Sequence, residues 1–61
     1  MQKFKKWVYG AGGPTWVGNL LGVSRQTIYY WMKGVKLPSR THQQMIVDAS
    51  SGEIAMKDFR A

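Results

Sequence analysis

Residues 14–33 read PTWVGNLLGVSRQTIYYWMK, and their apolar spacing decides the fold. Val17, Leu20 and Leu21 fall at i, i+3, i+4, and Ile28, Trp31 and Met32 repeat that spacing. Each set forms one stripe on a short helix. Between the stripes, LGVS supplies a turn. Leu21 ends the first helix inside the core. Gly22 accepts the positive φ that a helix C-terminus often needs. Val23 turns back to the core, and Ser24 caps the next helix by accepting an amide hydrogen bond. Gly18, four residues before Gly22, is nearly without a side chain and lets the second helix cross closely. The stretch predicts two helices joined by a tight turn, a helix-turn-helix.

Working outward, residues 2–9 predict a preceding helix, with Phe4, Trp7, Val8 and then Ala11 at i, i+3, i+4, i+7. Lys3, Lys5 and Lys6 fall mostly off that stripe, either as a solvated face or as phosphate contacts. The segment GAGGP at 10–14 breaks the helix, and Pro14 suits the first turn of the next. After the motif, Gly34 caps the second helix. Val35 and Leu37 are expected to fold back onto the core, with Lys36 projecting outward. Ser39 is the expected N-cap of a fourth helix running to about Ala49. Its core stripe is read as His42, Met45, Ile46 and Ala49, with Val47 elsewhere and His42 as a packing residue. SSGE at 50–53 is a turn. In IAMKDFRA, Ile54 and Met56 alternate as in a strand, whereas Ala55 and Phe59 fit a short helical turn. The helical reading is preferred, with Ile54 and Phe59 covering the core and Met56 available to a dimer interface.

Sixty-one residues make one small domain, with a core near the lower limit for independent stability. No cysteine is present, so disulfides and thiolate metal sites are excluded, as suits a cytosolic protein. No apolar run approaches the roughly 20 residues of a membrane span, and the N-terminus shows no cleavable signal pattern. A soluble, intracellular domain is expected.

The formal net charge is +6. Lys3, Lys5, Lys6, Arg25, Lys33, Lys36 and Arg40 all precede residue 41, whereas Asp48, Glu53 and Asp58 all follow residue 47. A basic helix-turn-helix with a near-neutral tail points to a polyanion. In the recognition helix, residues 24–33, the side away from Ile28, Trp31 and Met32 carries Gln26, Tyr29, Tyr30 and Lys33, with Arg25 on a flank. Arginine bridges guanine O6 and N7, glutamine pairs with adenine N6 and N7, and tyrosine meets thymine methyls or phosphates. Arg25, Gln26, Tyr29 and Tyr30 are therefore the candidate base readers. The candidate DNA-backbone contacts are Thr15, Trp16, Ser24, Lys33, Lys36 and Arg40. Thr15 and Trp16 open the helix at Pro14, where amides and a hydroxyl suit a phosphate. Trp16 lies off the apolar stripe and has a packing role as its alternative.

The run GGPTWVGNLLGVSRQTIYYWMKGVKLPSR resembles the Cro-type phage repressors and the related YdaS-like small helix-turn-helix proteins. The resemblance rests on the glycine-rich entry, Gly18, LGVSRQ, Trp31 late in the recognition helix, and Gly34 followed by Pro38. With the SGEI…DFR tail it spans about residues 4–60. It implies an all-α, compact four- to five-helix lambda-repressor-like domain over residues 1–61. It also implies a phage or prophage repressor that binds a pseudo-palindromic operator as a dimer, with DNA contacts from Thr15, Ser24, Arg25, Gln26, Tyr29 and Tyr30. Some relatives carry Ser, Asn or Lys where this chain has Tyr29 and Tyr30, so the operator sequence does not transfer. Some Cro proteins replace the later helices with a β-hairpin. The antitoxin-like label given to YdaS-like proteins implies a protein partner instead.

Other function classes fit poorly. One histidine, no cysteine and three late acids offer no nucleophile–base pair or metal cluster, so neither catalysis nor a cofactor nor a small-molecule substrate is expected. A membrane-active peptide needs one long amphipathic helix, which the breaks at 10–14, 22, 34 and 38 prevent. Double-stranded DNA is the expected partner, bound by a weak homodimer completed on the DNA.

Overall fold

The structure, a computed structural model, describes residues 2–59. Four helices follow in order: α1 (Gln2–Ala11), α2 (Pro14–Leu21), α3 (Arg25–Lys33) and α4 (Arg40–Ala49). A 3₁₀ turn at Met56–Phe59 closes the chain. Among the described residues there is no strand, so the domain is all-α. Residues 60 and 61, part of the segment read as helix or strand, lie outside the described residues.

α1 buries Phe4, Trp7 and Val8. The Phe4 ring stands at the centre of the core, 6.1 Å from Trp7, 6.4 Å from Trp31 and 6.2 Å from Phe59 between ring centroids. One side chain thereby joins α1, α3 and the closing turn. The helix runs two residues beyond the expected 2–9. Gly10 and Ala11 still continue it, and the break comes at Gly12 and Gly13, both at positive φ.

α2 starts with Pro14 in its first turn and ends at Gly22, which takes φ 73° and donates its N–H to the Gly18 carbonyl. The buried residues are Pro14, Val17, Gly18 and Leu21. Leu20, expected on that stripe, is instead 46% exposed. At about 100° per residue, Leu20 sits a quarter-turn from Leu21 and further still from Gly18. The i, i+3, i+4, i+7 set that starts at Pro14 wins the core. Gly18 does permit a close approach, although the neighbour is the backbone of the turn. A β-carbon there would stand 2.7 Å from the Val23 carbonyl oxygen, inside contact distance.

α3 buries Ile28, Trp31 and Met32, as the periodicity requires, and ends at Gly34 with φ 76°. The connection to α4 departs from expectation. Val35 and Leu37 are 64% and 53% exposed, and Pro38 is the buried residue. The Val35 and Lys36 amides both donate to the Tyr30 carbonyl, at 3.0 and 3.5 Å. That pins the backbone to the helix end and leaves the aliphatic side chains outside.

Ser39 caps α4, accepting from the His42 amide at 3.3 Å and sharing a 2.9 Å hydrogen bond with His42 Nδ1. The His42 ring packs 5.5 Å from that of Trp31. Of the expected stripe only Ile46 is fully buried, while Met45 and Ala49 are exposed. Gln43 and Val47, half-buried, take their places. With Ile46 and the buried Ser50 they form an i, i+3, i+4, i+7 set, and the Gln43 side-chain amide donates to the Pro38 carbonyl at 2.9 Å. Ile54 and Phe59 are buried, as expected. Asp58 fastens the closing turn by accepting from the Ala55 amide at 2.8 Å and from Lys3 Nζ at 3.3 Å.

Candidate nucleic-acid interface

Ser24 lies just before α3 with φ −74° and ψ 158°, the extended conformation of an N-cap. Its Oγ accepts from the Thr27 amide at 3.1 Å and shares a hydrogen bond with Thr27 Oγ1 at 3.0 Å. The mutual bond uses one of the two hydroxyl protons, so the pair keeps one O–H donor for an outside acceptor. Thr27 was not among the expected contacts. Its signal is position: it stands three residues after a capping serine, where a side chain can reach back to the cap.

Because Ile28, Trp31 and Met32 face the core, the opposite side of α3 presents Gln26, Tyr29, Tyr30 and Lys33, with Arg25 on the flank beside Met32. Arg25, Gln26 and Lys33 are exposed, and Tyr29 is 37% exposed. Tyr30 is half-buried, and Lys36 Nζ lies 5.5 Å from its ring centroid, within cation–π range. The contact places the Lys36 ammonium beside α3, and Tyr30 is less exposed than Tyr29.

Thr15 and Trp16 are exposed in the first turn of α2. They stand one turn before Gly18, where α2 meets the backbone of Val23 to Arg25. Gly13 brings no capping side chain to α2, so its first amides are available to an anion. Trp16 is 51% exposed, with its ring laid over Gly12. Packing and exposure are therefore combined in one side chain. Arg40 is exposed in the first turn of α4, separated from α3 by the 34–39 connection.

The electrostatics are one-sided. Among the described residues, none of Arg25, Lys33, Lys36 or Arg40 is paired with a carboxylate, and the ion pair of Lys3 with Asp58 lies on other elements. Among those residues no group of three or more His, Asp or Glu is placed to hold a metal ion. No helix there is long and apolar enough to cross a membrane. Comparison with protein-family models, with curated proteins and with solved structures finds no match to this chain.

Proposed function

We propose that this domain is a sequence-specific, double-stranded-DNA-binding repressor of transcription, of phage or prophage, Cro-like type. It acts in the bacterial cytoplasm on the nucleoid and has no catalytic activity. The observation that carries the reading is the outward side of α3. Gln26, Tyr29 and Lys33 share it with Arg25 on its flank, all four reach solvent, and among the described residues no carboxylate pairs with Arg25 or Lys33. An α-helix fills the major groove, and arginine and glutamine are the side chains that read base edges there. Thr15, Ser24, Lys36 and Arg40 add phosphate contacts that set register without reading sequence. Two copies related by a two-fold axis place their recognition helices in successive major grooves about 34 Å apart. Occupying such an operator excludes polymerase.

The test is selection of preferred sequences from random duplex DNA at about 0.15 M salt, where screening is near physiological. A pseudo-palindrome with half-sites one helical turn apart supports the proposal, and sequence-independent binding alone overturns it. Gln26→Ala is expected to relax preference at particular base pairs, by about 1–3 kcal/mol of discrimination. Lys36→Ala is expected to weaken all sequences alike and to flatten the salt dependence. Equal, uniform losses in both variants would show that the reading face is wrongly assigned.

A further inference from the structure

The outer side of α1 takes no part in the surface just described. With Phe4, Trp7 and Val8 buried, the opposite side of the helix carries Gln2, Lys5, Lys6 and Tyr9, all exposed. Together with Lys3 they surround a shallow depression of about 560 Å³. Its lining is mostly apolar, supplied by lysine stems and the Tyr9 ring. Lys3 is already paired with Asp58 at 3.3 Å, so among the described residues Lys5 and Lys6 supply the uncompensated charge.

The position of this face limits its partner. α1 and α3 turn their apolar stripes toward each other, with Phe4 6.4 Å from Trp31. Lys5, Lys6 and Tyr9 are therefore on a different helix from Arg25, Gln26 and Lys33. A duplex is a poor fit to this face. Duplex affinity accumulates over roughly six to ten phosphate contacts, this face offers two free lysines, and a phosphodiester backbone has no apolar group to fill the depression.

We infer that the outer face of α1 binds an acidic, amphipathic peptide segment of a partner protein. One apolar side chain enters the depression beside Tyr9, and flanking carboxylates meet Lys5 and Lys6. The peptide site shares no residue with the α3 surface.

The experiment is a titration of the full chain, labelled for amide NMR, with a short glutamate-rich peptide bearing one central leucine. Its counterpart with serine in place of the leucine and a random-sequence duplex serve as comparisons. The expected result is saturable shifts of the Lys5, Lys6 and Tyr9 amides with the leucine peptide. The serine peptide should bind about fivefold more weakly or worse, as should the leucine peptide to Lys5→Gln/Lys6→Gln. Tyr9→Ala, at an exposed position, should weaken the peptide and leave the duplex unaffected. Equal binding of the two peptides, shifts away from α1, or α1 shifts produced by the duplex in place of the peptide would each overturn the inference. The last outcome would assign the face to a second DNA segment.

Discussion

Between Pro14 and Lys33 each helix buries three or four residues, whereas α4 buries Ile46 alone among its ten. The two regions share one core but are held to it differently. α2 and α3 are joined by steric fit, through two apolar stripes and a backbone approach at Gly18 that leaves no room for a β-carbon. From Ser39 onward the buried Ile46, Ile54 and Phe59 are accompanied by a series of polar tethers. Ser39 caps α4, Gln43 reaches Pro38, Ser50 ties Val47 to Ile54, and Asp58 ties Ala55 to Lys3. A helix with a narrow apolar contact has too little burial to select its own rotation, so directional bonds select it. In so small a domain the core is near the limit for folding alone, and both devices are needed.

The sharpest test of this contrast is Ile28→Ala, which empties a fully buried site in α3. The expected loss is about 2–5 kcal/mol, enough to consume much of a small domain's stability. Tryptophan fluorescence and circular dichroism should report one common lower melting temperature. A loss confined to α3 would contradict a core shared by all the helices.

Ser50→Ala is expected to cost about 1–3 kcal/mol, because the buried Ile54 amide loses its acceptor. The effect should be local. Hydrogen exchange should speed up at Ile54 and Asp58 while α2 and α3 keep their protection. Faster exchange throughout would mean that the tail is not a separately tethered unit.

Gly18→Ala follows. The added carbon forces the α2–α3 turn apart, and the gain of about 1 kcal/mol in helix propensity offsets part of the overpacking. A net loss of about 1–2 kcal/mol in denaturant unfolding is expected, together with weaker duplex binding, since the start of α3 is displaced. A more stable variant would show that the turn yields freely.

The smallest effect concerns pH. The Ala55 amide, seconded by Lys3 and Lys57, holds the Asp58 carboxyl below its ordinary value of 3.8. A group depressed by folding adds stability above its unfolded value and loses it as pH falls through the folded one. The wild-type chain should therefore be more stable than Asp58→Asn near neutrality, with the difference shrinking below about pH 4. Parallel profiles for the two proteins would remove Asp58 from the set of tethers.

Much of the candidate interface was legible before the fold was known. Once Ile28, Trp31 and Met32 define the inner side of α3, helical geometry places Gln26, Tyr29 and Lys33 outside. The Lys36–Tyr30 contact and the Ser24–Thr27 hydroxyl pair were not legible in that way. Each depends on where a loop or a rotamer settles after the helices have packed.

The sequence by itself determined the four helices and most of their boundaries, the end of α1 excepted. Stripes, N-cap serines and the glycine after each motif helix act within a few residues of chain, so they can be read locally. Only the tertiary structure decided the rest. Leu20, Val35, Leu37 and Met45 are as apolar as their buried neighbours, and nothing local distinguishes them. Pro14 and Gly18 took the core side of α2, the 34–39 connection is bonded to Tyr30's carbonyl with its aliphatic side chains outside, and α4 turns Val47 rather than Met45 inward. Burial is a competition among elements for one small interior, and its outcome depends on partners distant in the chain.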